Sequence, residues 1–136
     1  MNVGQYIYTK LSGTSAVSAL VGSRIYPVFL PQTAAYPAIV YRMTNEPNER
    51  QMKTQAADHD RATVTFNFWA DASQGANAYA ALDSIDKAVR DALDFVEATA
   101  GGVTVEHCHY DNSSDDFDAE AMLLLRTATY TFITKN

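Results

Sequence analysis

The chain holds a single cysteine, Cys108, among its 136 residues. No internal disulfide can staple it, and a reducing compartment is the fitting environment. It also lacks any cluster of positive charge. Ten Lys and Arg are scattered singly against sixteen Asp and Glu, for a formal net charge of −6. Phosphate neutralisation needs grouped basic side chains, so sequence-specific nucleic-acid binding is not expected. Apolar runs such as Met122 to Leu125 fall far short of the roughly 20 residues of a membrane helix. Gln5 and its polar neighbours stand where a signal peptide would need an apolar stretch, so neither export nor a membrane partner is expected.

The catalytic motifs are missing too. There is no phosphate-cradling glycine pattern, no Gly-x-Ser-x-Gly and no His-Glu-x-x-His. Asp111, Asp115, Asp116, Asp118 and Glu120 have the composition of a calcium loop without its spacing. The reading for 111–118 is a solvated acidic turn.

What is present is pattern. At 47% hydrophobic content the chain is expected to form one domain, residues 1–136. From Arg61 to Asp71 the residues alternate, with Ala62, Val64, Phe66, Phe68 and Ala70 on one side and Thr63, Thr65, Asn67 and Trp69 on the other. That period of two predicts a half-buried strand. After Asp71 the period changes to three and four through Tyr79, Leu82, Ile85, Val89 and Leu93, predicting an amphipathic helix capped by Asp71 or Ser73.

Before this unit, residues 3–21 read as helix broken near 12–15, with Gly22 ending it. Pro27 and Pro31 make the next segment edge-like or irregular, and 36–44 reads as an interior strand. Residues 45–60 form a long polar loop of the length that is usually functional or disordered. Gly101-Gly102 marks a turn, 103–110 a strand, and 121–134 a long last strand. The fold class is α+β: a four-stranded, mainly antiparallel sheet with two main helices packed on one face.

Three side-chain groups could carry chemistry. On a regular strand His107 and His109 share one face and Cys108 takes the other, so the trio cannot converge on one metal. His59 could add a third imidazole and Asp111 a carboxylate, but zinc sites need three or four ligands with a fixed second shell. Ordinary strand histidines, with no metal and no cofactor, are the stronger reading. Cys108 reads as a small buried apolar residue rather than a nucleophile. Trp69, on the polar side of its strand, is either an interface anchor or packs under residues 27–37. No catalytic residue is expected. A small metal-binding protein or enzyme using His59, His107 and His109 is the alternative from another class.

The order Leu20-Val-Gly-Ser-Arg-Ile-Tyr-Pro27, Leu30-Pro-Gln32, Tyr36-Pro-Ala-Ile-Val-Tyr-Arg42 and Asp60-Arg-Ala-Thr-Val-Thr-Phe-Asn-Phe-Trp-Ala70, closing on Arg126, Tyr130 and Phe132, resembles the tail-completion, or tail-terminator, family of long-tailed bacteriophages. The resemblance covers almost the whole chain. It implies a structural virion protein of a phage or prophage, located at the head-proximal end of the tail and assembled in the host cytoplasm. Such a subunit would form a homo-oligomeric, typically hexameric ring that ends tail polymerisation and joins tail to head. Its partners would be the major tail tube protein and head connector proteins, with DNA free to pass through the ring. Loop 45–60 would reach a neighbour, making Arg50, Gln51, Met52, Lys53, His59, Arg61 and Trp69 the expected subunit interface. A head–tail connector or stopper subunit is the nearest alternative. The His107-Cys-His109 trio and the acidic segment after it have no counterpart in this resemblance.

Overall fold

The computed structural model describes residues 3–45, 50–51, 55–56 and 59–135 of the chain. Two short helices open it, α1 (Val3–Ser12) and α2 (Ser15–Val21). They part at Gly13, as the sequence predicts, and Thr14 is the N-cap of α2. Its hydroxyl donates back to the Lys10 carbonyl at 2.6 Å, so it ties the two helices together instead of capping the second. Gly22, with φ 59°, closes α2, and its N–H donates to the Ser18 carbonyl.

Strand β1 (Ile25–Pro27) runs parallel to β2 (Ala38–Asn45) at the sheet edge. Pro27, which has no N–H to donate, ends β1, and the Val28 N–H after it still donates to the Tyr41 carbonyl of β2 at 2.8 Å. A small two-stranded sheet of β3 (Arg50–Gln51) and β4 (Gln55–Ala56) follows, within the segment predicted as loop. Then β5 (His59–Asp71) begins the centre of the sheet. Asp71 accepts from the Ser73 N–H at 3.0 Å, turning the chain through a short 3-10 turn into α3 (Ala76–Leu93). Strands β6 (Ala98–Ala100), β7 (Val103–Asp118) and β8 (Leu123–Lys135) complete a six-stranded sheet in the order β1-β2-β5-β8-β7-β6.

The α+β class holds, with two corrections. Among the described residues the sheet has six strands, because the short edge strands β1 and β6 flank the expected four, and it is mixed because β1 runs parallel to β2. The helices number three among the described residues. The acidic segment 111–118 is also strand rather than turn: it continues β7 against β8 down to Asp118 opposite Leu123. Pairing with a long apolar partner has overridden the local turn preference of Asp, Asn and Ser.

All three helices contribute to one core with one face of the sheet. Phe66 and Tyr130 meet edge-to-face at 5.2 Å, and Tyr6 of α1 meets Phe132 at 6.1 Å. Val64, Phe66, Phe68, Ala128, Tyr130 and Phe132 are essentially inaccessible. Removing such rings from water is the main stabilising term, at roughly 1.5–3 kcal/mol per large side chain. Among the described residues no helix covers the opposite face. Thr63, Thr65, Asn67 and Trp69 of β5 and Leu125, Thr127, Thr129 and Thr131 of β8 remain partly exposed there.

Candidate functional site

Three places carry more than packing: an ionic cluster beneath α3, a histidine pair on the bare sheet face, and a set of exposed apolar side chains.

Arg126 lies on the helix-covered face of β8, only 6% exposed. A buried guanidinium is costly unless fully paired. Its Nε donates to Asp115 Oδ1 of β7 at 2.7 Å and its Nη1 to Asp83 Oδ1 of α3 at 2.7 Å. Asp86 stands 3.6 Å away and pairs with Arg90, whose guanidinium lies 3.9 Å from the Tyr110 ring centroid. A bulge between Tyr110 and Asn112 makes this possible. It shifts the register of β7 by one residue, so Asp115 rather than Ser114 comes to lie opposite Arg126. Hydrogen bonding to Arg126 holds the Asp115 carboxyl below its ordinary value, whereas burial pushes Asp86 up. Tyr79 Oη donates to Asp115 Oδ2 at 2.8 Å, which raises the phenol. Every strong partner here is another member of the same cluster. It is a brace that locks β7, β8 and α3 together.

His107 and His109 share the bare face, as alternation requires, and Cys108 points into the core with no exposure. His107 Nε2 and His109 Nδ1 are 3.2 Å apart, and His109 Nε2 meets Asp111 Oδ1 at 2.9 Å. Burial raises the Cys108 thiol far above its ordinary value, which suits the apolar reading and removes the nucleophile. Among the described residues, no three His, Cys, Asp or Glu surround a common point. His59 occupies β5 opposite Lys135, and its side chain lies outside what is described.

Of the other expected interface residues, Arg50 and Gln51 pair with Ala56 and Gln55. Met52 and Lys53 lie outside the described residues. Arg61 is exposed opposite Ile133. Trp69 sits at the other end of β5, between Ala38 and Leu125, roughly 33 Å from His59 at 3.3 Å per residue. Its Nε1 is shielded from solvent with no hydrogen-bond partner among the described residues. It borders a hollow of about 400 Å³ with Phe117 and Leu125. Of this set, His59 and Arg61 thus lie at one end of β5 and Trp69 near the other.

Sequence reasoning missed the exposed apolar set. Val28, Phe95 and Met122 have φ of 70°, 58° and 55°, a region non-glycine residues seldom adopt and a β-branched valine least of all. All three are exposed, at 64%, 75% and 50%. Val28 also borders an apolar groove of about 530 Å³ with Tyr8, Tyr41 and Met43. Strained backbone that presents apolar side chains to solvent concentrates at functional surfaces. Nothing in the local sequence marks these three positions.

A braced sheet with exposed apolar side chains at its margins suits contact with other proteins. The chain belongs to the tail completion protein gp17 family, whose model matches residues 5–135. It is therefore a structural protein of the virion tail, in a family of virion components rather than a class of enzymes. Among solved structures it is similar to a chain of a native gene transfer agent (GTA) particle virion. The TM-score is 0.72 at 17% identity, over 96% of this chain and 92% of that one. A second solved chain shares the fold at a TM-score of 0.54 and 8% identity, over 92% and 93%. Among curated proteins nothing matches.

Proposed function

We propose that this protein is a tail-terminator subunit. It acts without catalysis, as a single domain that closes into a ring, typically of six copies, on the head-proximal end of the tail tube. There it stops tube polymerisation and offers the head connector proteins a docking surface. The observation that carries this is the set of strained, exposed apolar residues, Val28, Phe95 and Met122. A ring needs two different surfaces that meet head to tail and close by rotation. Separated apolar margins on one subunit suit that need, as does the long polar segment that connects β2 to β5 in the sequence. Family membership and the likeness to a chain from a gene transfer agent virion support the tail setting. The net charge of −6 suits a lumen through which DNA slides without adhering.

The test is to produce particles without the protein and measure tails by electron microscopy. Over-long tails detached from heads are expected; tails of normal length, joined to heads, would reject the proposal. Deleting residues 47–57 separates the role of this segment from that of the fold. Native thermal unfolding with lost assembly is expected, whereas an unfolded product would assign the segment a folding role instead.

A further inference from the structure

We propose that His107 and His109 form a two-imidazole site for a borderline divalent cation of the Zn²⁺, Ni²⁺ or Cu²⁺ type, with Asp111 as the outer group that fixes the second ring. The histidines are two residues apart on β7, on the face opposite the three described helices. His107 Nε2 and His109 Nδ1 stand 3.2 Å apart. Metal–imidazole bonds are about 2.0–2.1 Å, so a cation between these nitrogens would subtend about 100° at the metal, close to a tetrahedral angle. The spacing already suits chelation without a change of backbone.

The outer shell is in place. Asp111 Oδ1 is 2.9 Å from His109 Nε2, and Thr131 Oγ1 donates to Asp111 Oδ2 at 2.7 Å. A carboxylate beside Nε2 selects the tautomer that carries its proton there, leaving the Nδ1 lone pair facing His107. Asp111 reaches His109 because the bulge between Tyr110 and Asn112 leaves it as the extra residue of β7. On the far side the Phe95 ring packs against His107, centroids 6.2 Å apart, which limits that ring's rotation. Without metal, one nitrogen donates a hydrogen bond to the other. A cation replaces that proton when His107 shifts its own to Nδ1. The His109 side chain is 39% exposed, so water can reach the remaining coordination positions. Imidazole ligands favour Zn²⁺, Ni²⁺ and Cu²⁺ over Mg²⁺ or Ca²⁺.

The site is independent of ring formation and is tested on the untagged, chelator-stripped full chain. Calorimetric titration with Zn²⁺ should saturate at one ion per chain, and Mg²⁺ should give no binding. His107→Gln and His109→Gln should each abolish saturation while leaving the thermal midpoint of the metal-free protein unchanged. Asp111→Asn should weaken binding by about 10–100-fold. Cu²⁺ electron paramagnetic resonance should show two coordinated nitrogens. Equal Zn²⁺ binding by the His107→Gln/His109→Gln double variant, or no saturable binding by the wild-type chain, would overturn the proposal.

Discussion

The two faces of the central sheet are made by the same strands and have opposite characters. On β5 the even-numbered residues from Ala62 to Ala70 lie beneath the helices and are all buried. The odd-numbered residues from Arg61 to Trp69 face outward with at least partial exposure. On β8 the inward side reads Arg126, Ala128, Tyr130, Phe132 and the outward side Leu125, Thr127, Thr129, Thr131. Threonine suits a pleated surface without demanding burial. The outer face can therefore stay open in the isolated chain and still hold sheet geometry. Stability resides on one face, leaving the other free for surface chemistry, of which the histidine pair is one case.

That division can be broken from the inside first. Phe66→Ala, in the centre of the covered face, is expected to cost about 3–5 kcal/mol, read as a lower urea midpoint with an unchanged slope. Arg126→Ala leaves Asp83 and Asp115 without their shared cation. It should cost about 1–3 kcal/mol, the scale of lost hydrogen bonds to a charged group, measured the same way. By contrast, Thr65→Val on the open face should stay within about 0.5 kcal/mol. An equally large loss there would mean that the outer face is also a core.

Acid should probe the brace more gently. The Asp115 carboxyl is held below its ordinary value by Arg126, so its folded value lies below its unfolded one. Its stabilisation is complete above the ordinary carboxylate range and is lost as pH falls through the folded value, below about pH 4. Asp86 is shifted the other way by burial and takes up its proton first, which relieves a buried charge. The urea midpoint should hold as pH falls through the ordinary carboxylate range and drop below it. Asp115→Asn should remove part of that drop. The smallest signal comes from Cys108, whose thiol should resist a water-soluble thiol reagent in the native protein and react fully in urea. Fast native reaction would place Cys108 outside the core.

Much of this architecture was legible because its periods are strong. The alternation of 61–71, the helical spacing after Asp71 and the break near Gly13 each emerge as elements at those places. The edge strands were not legible, since β1 and β6 have three residues each and gain their identity from a partner. Segment 111–118 misled because Asp-Asn-Ser-Ser-Asp is turn chemistry until β8 pairs with it. The bulges of β7 were equally invisible: each depends on the register of two strands, and sequence shows one at a time. That hid both the meeting of Asp115 with Arg126 and the placing of Asp111 beside His109. The strained apolar positions lay beyond reach, since nothing in Pro27-Val28 or Asp94-Phe95 announces a positive φ.

The most direct test of the assembly account is the mass of the purified chain by light scattering behind a sizing column, alone and with tail tube protein. A species several subunits in mass, formed alone or on adding the tube protein, is predicted, with Val28→Asp and Phe95→Asp shifting it back to monomer. A strict monomer under both conditions would contradict the ring.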